Sequence, residues 1–184
     1  MAEFDAFASG VTFGGLRNML EIKVLVCYLL DKVHEPMSRK LLSECLQDTG
    51  LVNYFDLVIA VDELLADGII LGHDEDGEEY LTVTETGAEN AKVLETSLLP
   101  FTRDKAVNAA IRIVARAKAE KENKVEITKT DTGYTIELAV MGMDEELMKL
   151  NLYCGDDLQA EALKEAFLAD PSALYSVIIE HLTK

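Results

Sequence analysis

Asn53 to Gly87, NYFDLVIAVDELLADGIILGHDEDGEEYLTVTETG, is the stretch that decides the fold. Asn53 has the short acceptor side chain that caps a helix, and Phe55, Val58, Ile59, Val61, Leu64 and Leu65 then leave that helix only a narrow polar side. Gly68 ends it, since glycine enters the left-handed conformation of a helix stop without penalty. Ile69, Ile70 and Leu71 read as a strand, Asp76-Gly77 as a tight turn, and Tyr80 to Val83 as the returning strand. Thr84 caps the next helix, which runs to about Leu99, and Pro100 marks its end or a kink.

Working outward, residues 16 to 33 carry Leu20, Val24, Cys27 and Leu30 on a broad apolar face and predict a centrally buried helix. His34, Glu35 and Pro36 break it, because proline disfavours helix in the residue before it. Ser38 caps a second helix with Leu41, Leu42, Cys45 and Leu46, stopped by Gly50. Helices followed by a hairpin predict a winged helix-turn-helix over residues 16–100. Residues 1–15 read as a partly ordered arm whose Phe4, Phe7 and Phe13 pack back on their own domain or on a neighbour.

These residues carry a resemblance. The passage from Leu64-Leu65 to Gly68-Ile69-Ile70, and Val83-Thr84-Glu85-Thr86-Gly87 leaving the hairpin, resemble the PadR- and MarR-type winged helices. More closely, Asp31-Lys32-Val33, Asn53-Tyr54-Phe55, Asp67-Gly68-Ile69-Ile70 and Leu98-Leu99-Pro100 resemble a bacterial family known as domain of unknown function 4364. The motifs cover a little over the first half, and the likeness continues more loosely to the carboxyl end. The resemblance implies a winged-helix amino-terminal domain and a regulatory role.

Charge argues against the usual work of that fold. The chain of 184 residues has a formal net charge of -17, and residues 41–91 contain thirteen Asp or Glu with no Lys or Arg. Polyanions are bound chiefly through Lys and Arg, so duplex DNA is a disfavoured partner and an anionic membrane surface is excluded. In a helix-turn-helix the amino-terminal face of the third helix reads the major groove. The matching positions are Asn53, Tyr54, Asp56 and Ala60. Asn53, Tyr54 and Asp56 are therefore the candidate interaction face. The hairpin tip, Asp74-Glu75-Asp76-Gly77-Glu78-Glu79, would set five carboxylates near phosphate in the usual docking mode.

Positive charge collects later: residues 102–124 hold seven Lys or Arg against three acids. On a helix there, Val107, Ile111 and Val114 share one side and Lys105, Arg112 and Arg116 the other, a candidate basic interaction stripe. It reads as a solvated face, as a surface meeting the acidic domain within the chain or across a homodimer, or as a nucleic-acid contact. Lys124 to Thr130 and Tyr134 to Val140 alternate as strands joined at Asp131-Thr132-Gly133, with a third over Leu147 to Cys154. Leu158, Leu163 and Phe167 mark one covering helix. Asp170-Pro171 starts another, with Leu174, Val177, Ile178, His181 and Leu182 on its stripe. The expected class is thus α+β: an amino-terminal winged helix-turn-helix, then over residues 101–184 a small domain with a three-stranded antiparallel sheet backed by helices.

No catalytic, metal or cofactor residues emerge. His34, His73 and His181 are scattered, and there is no GxSxG, HExxH or GxxxxGK[ST]. Asp-x-Asp-Gly at the hairpin tip lacks the terminal Glu of a twelve-residue calcium loop. Cys27, Cys45 and Cys154 form no CxxC pair and fit a reducing compartment. The run Val24 to Leu30 is too short to span a bilayer, and the amino terminus does not read as a secretory signal, so a cytoplasmic protein is expected. The expected function is a non-enzymatic regulatory or interaction protein whose acidic winged helix binds a protein partner or forms a homodimer. The alternative is a dimeric winged-helix DNA-binding transcription regulator with a carboxyl-terminal sensing or dimerisation domain.

Overall fold

A computed structural model describes residues 15–143 and 145–184. The aromatics of the expected arm, Phe4, Phe7 and Phe13, lie outside the described residues. Helices combine with two three-stranded antiparallel sheets, and the chain forms two compact units, one ending at Val114 and the other starting at Ala115.

The first unit is built by short-range signals in series. Helix α1 (Met19–Val33) starts where the Asn18 side chain accepts from Leu20 N at 2.9 Å and stops at His34, a left-handed residue with φ 56°. Strand β1 (Met37–Ser38) leads into α2 (Arg39–Asp48), capped by the Ser38 hydroxyl, and α3 (Tyr54–Ala66) is capped by Asn53. Strands β2 (Ile70–Glu75) and β3 (Glu78–Val83) turn at Asp76 and Gly77, with φ of 56° and 83°. Two left-handed residues in succession match the right-handed twist of the strands they join. The Thr84 side chain accepts from Gly87 N to open α4 (Glu85–Leu94), and after a 3-10 turn (Glu95–Ser97) α5 (Pro100–Glu122) begins on a proline, which the first turn of a helix tolerates.

The sheet order is β1-β3-β2, with Met37 opposite Leu81 and Ile70 opposite Val83. Strand β1 was not foreseen, because two residues carry no alternation to read. Met37 nevertheless joins Ile22, Leu25, Leu29, Leu42, Leu46, Leu57, Ile70 and Leu81 in a fully buried core. Each such side chain contributes about 1.5–3 kcal/mol on leaving water.

Helix α5 departs from expectation. Its buried residues in this unit are Thr102, Ala106, Ala109 and Ala110, while Ile111 stands 52% exposed and Val107 is only half-buried. Positions 102, 106, 109 and 110 share one helical face, and alanines let that face approach closely where β-branched side chains would hold it away. The division between units falls inside α5, whereas the sequence places a boundary at its first residue.

In the second unit β4 (Lys124–Thr130), β5 (Gly133–Met141) and β6 (Glu146–Cys154) pair antiparallel in the order β4-β5-β6. Ile136, Leu138 and Val140 point to one face of β5 and are buried against Phe167 and Leu168 of α6 (Asp157–Ala169). Asn123 fixes the end of α5 by donating to Ala119 O and accepting from Met141 N. Helix α7 (Pro171–Leu182) is capped by Asp170, but none of its residues is fully buried. Leu174 and Tyr175 pack on the core, leaving Val177, His181 and Leu182 exposed, so the inward side is rotated from the expected stripe. Leu158, expected inside, is also exposed.

Gly87 shows how closely α4 sits against the hairpin. A Cβ there would run into Ile69 O and Val83 Cγ2, the first of which is backbone and cannot swing aside. Gly87→Ala is expected to destabilise the protein by about 1–3 kcal/mol, the usual cost of overpacking, despite alanine's better helix propensity. Equilibrium urea unfolding checks this, and an unchanged or raised midpoint contradicts it.

Candidate functional site

The candidate face on α3 is assembled differently from the sequence reading. Asn53 is buried, and its Oδ1 accepts from Phe55 N at 2.8 Å, so it is committed to capping rather than to a partner. Ala60 is also buried, on the inward row formed with Leu57, Val61 and Leu64. Tyr54 is 49% exposed and Asp56 half-buried. The residues missed are Phe55 and Ile59, assigned to the core but 66% and 47% exposed. Leu57, Ala60, Val61 and Leu64 follow an i, i+3, i+4, i+7 pattern, and that regularity was the signal that could have placed Phe55 and Ile59 outside. Tyr54 and Phe55 meet edge to face, with ring centroids 5.6 Å apart and planes at 72°.

Beside this face a groove of about 720 Å³ runs between α2, α3 and the hairpin tip. Leu42, Leu57 and Val61 floor it, while Glu44, Glu78 and Glu79 contribute to its rim with Arg39 and Lys40. Arg39 crosses between elements. Its Nη2 donates to Asp62 Oδ1 of α3 at 2.7 Å, and its Nε lies 2.7 Å from Glu79 Oε2 of β3 as an ion pair outside hydrogen-bonding geometry. Partial burial is the largest influence on the guanidinium and acts to lower its pKa. The hydrogen bond and charge of Asp62, with the charge of Glu79, outweigh it and hold Arg39 above its ordinary value. On the other side of α3, Lys23 Nζ sits 2.8 Å from Glu63 Oε2 and 3.9 Å from Asp67 Oδ2. Two cations that precede the acidic segment, Lys23 and Arg39, are thus engaged with its carboxylates.

At the hairpin tip Asp74 faces Glu79 and Glu75 faces Glu78 across the strands. Like charges directly opposed weaken such a pair, and the turn is held in part by Gly77 N donating to Asp74 Oδ1 at 3.1 Å. His73 stacks on Tyr80, with centroids 5.8 Å apart.

The basic stripe does not act as a unit. Lys105 Nζ donates to Thr49 O at 2.6 Å, which satisfies a carbonyl at the carboxyl end of α2. Arg116 pairs with Glu120 at 3.3 Å and with Glu165 at 2.6 Å. Arg112 is exposed and has no ion pair among the described residues.

The family model described as Domain of unknown function (DUF4364) matches residues 22–182. The chain belongs to the DUF4364 family. No curated protein and no solved structure matches it.

Other chemistry on this DUF4364 chain is sparse. Among the described residues no group of three or more His, Cys, Asp or Glu is placed to hold a metal ion, and no helix is long and apolar enough to cross a membrane. All three cysteines are free and buried. Burial, the largest influence in each case, pushes the Cys27 thiol up to about 11 and the Cys45 thiol up to about 12. Cys45 Sγ also lies 3.7 Å from Ala106 O, to which it donates.

Two outcomes follow from these contacts. Because the thiols of Cys27 and Cys45 ionise near 9.0 when unfolded but only near 11 and 12 when folded, the unfolded chain loses those protons first. Their contribution to stability is therefore full below pH 9 and declines as pH rises from there towards the folded values. A thiol-reactive dye at pH 8 should label Cys27 and Cys45 only at the rate of unfolding, and rapid labelling of the native protein contradicts the burial. Replacing Arg39 by Met leaves Asp62 and Glu79 without their shared cation and should cost about 1 kcal/mol, discounted for partial exposure. That loss should shrink at high salt, and a salt-independent change would point to packing instead.

Proposed function

We propose that this DUF4364 chain is a non-enzymatic regulatory or interaction protein that uses an acidic winged-helix domain to bind protein, a second copy of itself included. The winged-helix reading draws support from the element order α1-β1-α2-α3-β2-β3, in which a short strand after the first helix completes the hairpin's sheet. The observation that carries the function is the outward side of α3. It presents Tyr54, Phe55 and Ile59 to solvent among carboxylates, while Lys23 and Arg39 are spent within the fold. Exposed aromatics are the usual anchors of protein interfaces, whereas a phosphate backbone demands free Lys and Arg.

A second reading, a dimeric DNA-binding transcription regulator whose carboxyl-terminal part senses a ligand or mediates pairing, has one observation in its favour. Lys40 stands at the start of α2 with its side chain 75% exposed, in the same groove as Tyr54, held among the described residues only by a long 3.9 Å ion pair to Glu44. It predicts third helices one DNA turn apart in the dimer, roughly 34 Å.

The test is capture from cell lysate on the immobilised protein, scored for protein and nucleic acid together, with the Phe55→Ser, Ile59→Ser double variant beside the wild type. Both side chains are exposed, so the variant should stay within about 0.5 kcal/mol of wild-type stability. The expected result is a protein partner retained by the wild type and lost by the variant. Specific, salt-sensitive retention of a duplex by the wild type would overturn the proposal in favour of the second reading.

A further inference from the structure

The side of α5 opposite its alanine face carries a pattern that the proposed function leaves unused. Phe101, Asp104, Asn108 and Ile111 are all exposed and succeed one another at intervals of 3, 4 and 3 residues. That is the spacing of a helix-to-helix seam. With Lys105 and Arg112 they line one shallow hollow. Asp104, Asn108 and Arg112 have no hydrogen-bond or ion-pair partner among the described residues, although other charged side chains near α5, such as Arg103 and Lys105, are engaged.

The arrangement is self-complementary. Asp104 and Arg112 each lie four residues from Asn108, about 6 Å along the axis in opposite directions. If two such helices cross antiparallel on a two-fold axis at Asn108, Asp104 of each copy falls opposite Arg112 of the other. The Asn108 amides, each both donor and acceptor, then meet on the axis. Ile111 falls opposite Lys105, whose ammonium is held at Thr49 O, leaving its methylene stem to pack. A parallel pairing would instead set Asp104 against Asp104 and Arg112 against Arg112. Repulsion thus selects the antiparallel arrangement.

We infer that this face of α5 docks a second copy of the chain, antiparallel, with two reciprocal Asp104 to Arg112 ion pairs about Asn108. The inference rests on the self-binding part of the function proposed above and assigns it to a surface other than α3. A contact of three helical turns is at the small end of specific interfaces, so the dimer should form at roughly micromolar concentration rather than be permanent.

Sedimentation velocity over roughly 1 μM to 1 mM tests this on the full chain. The wild type should show a concentration-dependent dimer. Asp104→Arg alone, or Arg112→Asp alone, sets like charges against each other twice and should weaken the dimer about tenfold or more. Combining the two substitutions restores opposite charges in every pair and should bring the dimerisation constant back to within about threefold of wild type. Asn108→Glu, which places two carboxylates on the axis, should weaken the dimer and lose most of that effect in high salt. All these positions are exposed, and far-UV circular dichroism should show each variant folded. A wild type that stays monomeric throughout overturns the inference while leaving capture of a different protein by α3 to be judged on its own. A dimer indifferent to the single substitutions, or not restored by the double, overturns the inference but leaves self-association itself standing.

Discussion

The first unit depends on the burial of α1. Ile22, Val24, Leu25, Val26, Cys27, Leu29 and Leu30 are all buried, so successive residues point inward around most of the helix rather than along one stripe. A helix hydrophobic around most of its girth has no stable place at a surface, and its neighbours must enclose it. Helices α3 and α4 and strand β3 pack directly on it. The tight turn at Asp76-Gly77 and the close approach at Gly87 both follow, because the hairpin and α4 have to fold back onto the same central rod.

Enclosing α1 takes the inward faces of its neighbours, and the charge left outside between residues 41 and 91 is one-sided. Between residues 41 and 91 the carboxylates have no cation of their own, and the compensating charges come from just before that segment. Lys23 reaches Glu63 and Asp67 from α1, and Arg39 joins α3 to β3. Exposed ion pairs of this kind are individually weak, but each of these bridges two or more elements and so contributes to orientation as well as to stability. The same pairs engage Lys23 and Arg39 within the fold, while Lys40, in the groove beside Tyr54, keeps an exposed side chain.

Local chemistry was legible wherever one residue decides a backbone event. Ser38, Asn53, Thr84 and Asp170 cap the helices they were expected to cap, and Asp76-Gly77 forms the hairpin turn. The strands of the second unit were readable from alternation, which survives because one face of that sheet is covered and the other is not. What could not be read locally was which side of a nearly all-apolar helix faces inward. In α3 the choice fell to Leu57, Ala60, Val61 and Leu64, and it exposed Phe55 and Ile59. In α5 alanines took the inward side from larger residues, because there the separation of the backbones is the constraint rather than the area available to bury. Strand β1 was invisible for a different reason: a two-residue ladder is created by its partner β3.

The two outward helical faces of the first unit differ in what they can pair with. Around Tyr54, Phe55 and Ile59 the charged neighbours on α3 are Asp56, Asp62 and Glu63. Two copies of that face brought together would oppose acid to acid, a repulsion their aromatic contacts would have to overcome. The face suits a partner with the opposite charge pattern, which this chain does not present between residues 41 and 91. The stripe on α5 has the contrary property. Its Asp104 and Arg112 cancel within one copy and would match between two, so the proposed self-pairing has one favoured orientation. The two proposed contacts, with another protein and with a second copy, thus fall on separate surfaces of different charge, and a substitution on one face need not disturb the other.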